Sequence, residues 1–224
     1  DLKKDIFNKS ICLLDKELIF LLLENKDIIP NSDTINKLVE KCYPNINGSR
    51  DAIKVAEIID LLCQYNLKID KNITLQGNWL ETSVTLRLPI KSDFNEWVSL
   101  RRNNVNYLKP WEPERNDSYL LEKTYLKRLR GCNKMFRSGK ALPFNVFRSE
   151  DMRMIGVCNI LNIQRHISQT AEIGYWIGER YAGLNFGKSA VSAVTNFCFD
   201  QLSLNRVEAA VMVKNAPSIS ILRT

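Results

Sequence analysis

Apolar residues recur at helical spacing over the first third of the chain, and at every second position in several short stretches after it. Residues 1–76 therefore read as mostly helical. The run Glu17-Leu-Ile-Phe-Leu-Leu-Leu-Glu-Asn25 is echoed forty residues later by Glu57-Ile-Ile-Asp-Leu-Leu-Cys-Gln-Tyr65. A recurrence at this period predicts paired helices stacked as a small array. Pro30 with Asn31, Ser32 and Asp33 marks one break, and Pro44 with Asn45, Asn47 and Gly48 another. Near Leu75-Gln-Gly-Asn78 the texture changes. That places a boundary at about residue 79, with a helical segment over 1–78 and a second domain over 79–224.

Ser83-Val-Thr-Leu-Arg-Leu-Pro89 alternates and is β-branched, which predicts a strand. Ser92 and Asp93 offer an N-cap for a helix carrying Phe94, Trp97, Val98 and Leu100 on one side. Tyr107 to Arg115 is a loop, because Pro110 and Pro113 forbid a regular helix through it. A polar helix is expected from about Ser118 to Phe136, interrupted near Gly131-Cys132-Asn133. Phe144–Phe147 and Met154–Asn162 read as strands joined by a turn, and Ala171–Ile177 adds a third to make an antiparallel meander. Residues 188–202 carry an apolar stripe of Ala190, Val191, Val194, Phe197 and Phe199, the core-facing side of a helix. Asn205–Val213 reads as a further buried strand, and Pro217 permits the first turn of a last helix.

Between the third strand of the meander and that apolar helix lies the stretch with chemistry in it. A strand that ends in a glycine-bearing turn, Arg180 to Asn185, and feeds a helix is an anion site. The first helical N–H groups have no partner of their own, and the helix dipole adds roughly half a positive charge there. A pyrophosphate can take up both. Two patterns compete for these residues. Ala182, Gly187, Lys188 and Ser189 fit a permissive nucleotide loop, in which the lysine would reach terminal phosphates and the serine would bind magnesium. Arg180-x-x-Gly183-x-Asn185 is the other pattern.

Composition narrows the class without choosing the ligand. At 45% hydrophobic and 25% charged residues, the 224-residue chain is ordinary globular protein. The longest apolar run, Ile11 to Leu23, is interrupted by Asp15, Lys16 and Glu17, so no membrane span is expected. The opening residues do not read as a signal sequence. Six cysteines (Cys12, Cys42, Cys63, Cys132, Cys158 and Cys198) lie far apart without CxxC pairs, as reduced thiols of a cytoplasmic protein do. His166 is the one histidine, which argues against a histidine-rich metal site, and no metal is expected. Residues 1–80 hold 11 Lys+Arg against 12 Asp+Glu, whereas residues 81–224 hold 21 against 13. The second domain can therefore attract a polyanion, whether coenzyme A or a ribosomal surface.

The predicted order of strand, helix, helix, three strands, loop, helix, strand, helix resembles the GNAT acetyltransferases. The local matches point to their RimJ/RimL group, the ribosomal-protein alanine N-acetyltransferases. Leu108-Lys-Pro-Trp-Glu-Pro113 with Arg115 and Ser118 resembles the substrate-side loop of that group. Thr170-Ala-Glu-Ile-Gly-Tyr-Trp176 resembles its cleft strand, Arg180-x-x-Gly183-x-Asn185 its R/Q-x-x-G-x-G/A loop, and Arg206-Val-Glu-Ala209 and Asn215-x-x-Ser218 its later motifs. The resemblance covers about residues 82–224, while Glu57 to Asp70 more loosely resembles the outer helix of an ankyrin repeat.

That resemblance implies an α+β fold with a mixed, mainly antiparallel sheet flanked by helices, preceded here by a small all-α segment. It implies transfer of an acetyl group from acetyl-CoA to a protein N-terminal amine. The Tyr175, Trp176 and Ile177 backbone would pair with the pantetheine arm. Arg180, Tyr181, Ala182, Gly183, Leu184, Asn185, Phe186 and Gly187 would hold the pyrophosphate. Glu172 would be the base and Ser218 the proton donor to the departing thiolate, with Asn215 orienting that region. Tyr107, Trp111 and Glu112 would line the acceptor cleft, and the acceptor would be a protein N-terminus, ribosomal by analogy. Two departures are visible. Asn185 stands where the group has Gly or Ala, and the chain stops before two further strands that the resemblance implies, as a truncated domain would. A non-catalytic remnant acting as a protein-interaction module, and a nucleotide-binding protein using Ala182–Ser189, are the alternatives.

Overall fold

The computed structural model describes residues 72–165 and 168–223. The repeat-like helices expected ahead of residue 72, with their ankyrin-like echo, lie outside the described residues. Six strands form one sheet in the order β1 to β6: Thr74–Trp79, Thr82–Arg87, Asn145–Arg148, Met154–Gln164, Thr170–Ile177 and Arg206–Glu208. The first five pair antiparallel, and β6 joins β5 in parallel. Parallel neighbours need a crossover between them, and the helix α4 (Phe186–Asp200) supplies it. The sheet starts at Thr74, ahead of residue 79, because Leu75 to Trp79 pairs in register with Thr82 to Leu86. The loss of helical texture at Leu75 marks the strand itself.

Between β2 and β3 come α1 (Phe94–Asn103), α2 (Val105–Leu108) and α3 (Glu122–Arg137). Trp97 and Val98 of α1, Tyr125 of α3, Phe147 of β3 and Met154 of β4 form one buried cluster. Three residues before Phe147, Phe144 meets Phe197 of α4 edge-on at 6.3 Å. Helices thus cover the sheet on both sides, as the alternation of its residues dictates.

Four expectations need correction. Phe199, expected on the core-facing stripe of α4, is 44% exposed, because it lies two residues and so about 200° round the helix from the buried Phe197. The helix α3 runs unbroken through Gly131, an exposed position where one glycine costs only about 1 kcal/mol relative to alanine. Asp93 makes no side-chain cap on α1. Its carboxylate instead accepts hydrogen bonds from Arg87 (2.6 and 2.9 Å), the Ile90 amide (3.0 Å) and Asn145 (2.8 Å), which pins the entry of α1 to β2 and β3. The buried strand expected over 205–213 is paired only over Arg206–Glu208, and Val213 is 92% exposed. The reason lies in how β5 and β6 separate, which also makes the site.

Candidate active site

Thr170, Ala171 and Glu172 pair with Arg206, Val207 and Glu208, and there the two strands part. Beyond the split, Ile173 to Ile177 of β5 and Ala210 to Met212 after β6 face each other across a cavity of about 740 Å³. Residues 209–213 carry a strand-like sequence but have lost the partner that would make them a strand. On its other edge β5 stays paired with β4 from Gly156 to Leu161. The edge turned toward the parted β6 therefore has backbone donors and acceptors open to the cavity, and these need a partner.

At the end of β5 the chain makes the short 3-10 turn Glu179–Tyr181, then a loop into α4. Gly183 takes φ +74° and Asn185 φ 63°, ψ −2°, two left-handed residues within three positions. Glycine adopts this region freely and asparagine tolerates it better than most residues. The Asn185 carbonyl then accepts the first turn's bond from the Ser189 amide at 3.0 Å. Tyr181 and Phe186 close the loop edge-to-face at 5.8 Å. Ala182, Gly183, Asn185, Gly187 and Lys188 line the cavity.

The last helix, α5 (Ala216–Leu222), is capped by Asn215, whose Oδ1 accepts from the Ser218 amide at 3.2 Å. The cap holds Ser218 against the cavity, where its Oγ lies 2.9 Å from the Tyr175 hydroxyl. Burial pushes the Tyr175 phenol up; its hydrogen bond with Ser218 opposes the shift and the neighbouring Cys158 adds to it.

Tyr107, Trp111 and Glu112 form another part of the wall. Glu112 receives two bonds from Arg101 of α1, at 3.0 and 2.5 Å. Burial alone would raise the Glu112 carboxyl, but the hydrogen bonds and charge of Arg101, with Arg115 behind it, outweigh burial and hold it below the usual range. Arg101 is only 8% exposed, and its guanidinium lies 5.1 Å from the Trp176 ring centre. Asn104 accepts from the Glu179 amide at 2.7 Å, so α1 fixes the end of β5 as well. Sequence reasoning missed Arg101 and Asn104. The signal was there: Arg101 lies three and four residues from Val98 and Trp97, a charge set on the apolar side of its helix.

The structure thus brings together Tyr107, Trp111, Glu112, Tyr175, Trp176, Ile177, Tyr181, Ala182, Gly183, Asn185, Gly187, Asn215 and Ser218. It leaves four expected residues off the wall. Glu172 is exposed where β5 and β6 are still paired, and Arg180 and Leu184 are exposed and not among the residues lining the cavity. Phe186 packs on Tyr181 instead. The nucleotide-loop pattern also fails on geometry. Ser189 is fully buried, and its hydroxyl donates to the carbonyls of Thr82 (3.1 Å) and Asn185 (3.2 Å), which leaves no hydroxyl to face magnesium.

Residues 83–224 match the family profile described as Acetyltransferase (GNAT) domain. The chain belongs to the GNAT acetyltransferase family. The parting of β5 and β6, and the left-handed loop before α4, are thereby the parts of a GNAT domain. Among relatives, the chain is 29% identical over 131 residues to the Probable N-acetyltransferase YjcK of Bacillus subtilis, covering 58% of this chain and 72% of that protein. It is also 29% identical over 119 residues to the [Ribosomal protein uS5]-alanine N-acetyltransferase of Escherichia coli, over 53% of this chain. It spans only 61% of that enzyme's length. Among solved structures, Mycobacterium smegmatis RimJ in complex with CoA-disulfide superimposes with a TM-score of 0.63 at 26% identity, over 67% of this chain and 73% of that one. Among the described residues, no group of three His, Cys, Asp or Glu could hold a metal ion. No described helix is long and apolar enough to cross a membrane.

Proposed function

We propose that this chain transfers the acetyl group of acetyl-CoA to the α-amino group of a protein N-terminus, with an alanine-ended ribosomal protein as the acceptor class. The observation that carries the reading is the open β5 edge at Ile173–Ile177, beside a loop built on left-handed Gly183 and Asn185. A pantetheine arm has amides that match a bare strand edge, and a pyrophosphate suits amides at a helix start. Tyr175 to Ile177 would hold the first, and Ala182, Gly183, Asn185 and Gly187 the second.

Bound there, acetyl-CoA supplies the activated acyl group, and the chain's own residues do the rest. A peptide α-amino group has a pKa near 8, so roughly a tenth of it is the neutral nucleophile at pH 7. Strong base catalysis is not needed, and positioning contributes most. Glu112 is the one carboxylate among the described residues on the cavity wall, held ionised and oriented by Arg101, and it is assigned to accept a hydrogen bond from the incoming amine. Glu172, exposed beside Glu208 and off the wall, is given no part as base. Ser218 faces the cavity with a phenol behind it, and it is assigned to hand a proton to the leaving thiolate.

Release of free thiol from acetyl-CoA, followed together with the mass of an alanine-ended peptide, tests the assignment. Acetylated peptide in step with thiol release is expected. Binding of neither acetyl-CoA nor peptide would leave the domain as a protein-interaction module.

A further inference from the structure

Lys188 is the one cationic side chain among the described residues on the cavity wall. Its ammonium sits 5.5 Å from the ring centre of Trp79, at the end of β1 and outside the wall. Trp79 is placed there by the β1–β2 hairpin, which is tied to the loop at three points. Thr82 Oγ1 donates to the Leu184 carbonyl at 3.0 Å, and Ser189 Oγ donates to the Thr82 carbonyl at 3.1 Å. Gly77 lies so close to α4 that a Cβ would come within 2.2 Å of the Ser189 carbonyl oxygen, so the residue must be glycine.

Building on the acetyl-CoA reading above, we propose that Lys188, held by the indole of Trp79, binds the ribose 3′-phosphate of coenzyme A. The hairpin strand β1, which precedes the residues matched by the family, is then part of the cofactor site. The charge arithmetic supports this assignment. Loop amides and the dipole of α4 already serve the pyrophosphate. The third phosphate is a monoester with nearly two charges, and it needs a donor displaced from the helix axis. A lysine is a compact point charge suited to a phosphate, though its long stem loses freedom on ordering. The tryptophan face attracts the ammonium and narrows that freedom before the ligand arrives.

Calorimetry of coenzyme A and dephospho-coenzyme A against the full chain tests the proposal. Wild type should prefer coenzyme A by about tenfold, as one charge-assisted bond allows. Lys188→Met should bring that ratio near one and leave dephospho-coenzyme A unaffected, whereas Lys188→Arg should keep the preference. Trp79→Leu should reduce the ratio by a few-fold in the Lys188 background, and should change nothing in the Lys188→Met background. An unchanged ratio in Lys188→Met, or equal losses for both ligands, would overturn the assignment, the second by placing the lysine on the pyrophosphate. Equal weakening of both ligands by Trp79→Leu in either background would reduce the indole to a structural role. Binding of neither ligand by wild type would bring down the acetyl-CoA reading itself.

Discussion

The Tyr175 hydroxyl lies 2.9 Å from Ser218 Oγ and 3.1 Å from the Ser218 carbonyl, so β5 and α5 place two hydroxyls at one point of the cavity wall. An alkyl hydroxyl is a poor acid alone, and a phenol bonded to it can replace the proton it gives up. Because burial raises the Tyr175 phenol, it stays protonated through neutral and mildly alkaline pH.

Ser218→Ala should therefore lower kcat by about 10²-fold, the low end of acid–base contributions, with little change in acetyl-CoA affinity. Tyr175→Phe should lower kcat by less, and the double variant should fall short of the product of the two. Full kcat in Ser218→Ala would remove the serine from the chemistry.

Asn185 holds φ 63° where its position demands a left-handed residue. Asn185→Gly should keep the fold and tighten coenzyme A binding, because glycine takes that φ without a Cβ penalty. Asn185→Ala should cost roughly 1 kcal/mol of stability for the same reason. Calorimetry beside a thermal melt checks both. A tighter alanine variant would show that the backbone angle does not set loop affinity.

The loop was legible because its demands are local. Turn residues and the apolar stripe of α4 name a strand–loop–helix unit without any tertiary information. The meander was legible for a similar reason, since alternation fixes each strand. Residues 209–213 misled because strand propensity describes a residue's own surroundings and not whether a partner strand stays alongside. The place of Glu172 was hidden for a related reason. Alternation alone cannot say that β5 and β6 are still paired at Glu172 and open one residue later. Arg101 reaches Glu112 and Trp176 across separate elements, and only the fold brings them together.

Tyr125 is 1% exposed, donates to the Ile90 carbonyl at 2.8 Å and packs on Trp97. Burial, aided by the Asp93 charge, pushes its phenol up to about 12 from 10.0. Above pH 10 the unfolded chain loses this proton while the native one keeps it. The stabilisation is complete below pH 10 and is lost as pH rises toward 12. Denaturant melts from pH 8 to 12 should show Tyr125→Phe with a shallower alkaline decline than wild type. Parallel declines would mean that the phenol titrates alike in both states.

Trp111 is half-buried and lines the cavity beside Glu112, held by its backbone amide to the Leu108 carbonyl at 2.9 Å. A core tryptophan cut to alanine would cost about 3–5 kcal/mol. A wall residue with one face open should cost well below that, so Trp111→Ala should melt near wild type. Its effect belongs in acceptor binding. The KM for an alanine-ended peptide should rise several-fold with kcat nearly preserved, the pattern of a contact made equally in ground and transition states. Coenzyme A affinity should hold, because the loop at Ala182–Gly187 is tied to β2 through Thr82, which bonds both Leu184 and Ser189. A large fall in melting temperature with parallel loss of coenzyme A binding would make Trp111 a structural plug and move the acceptor elsewhere on the wall.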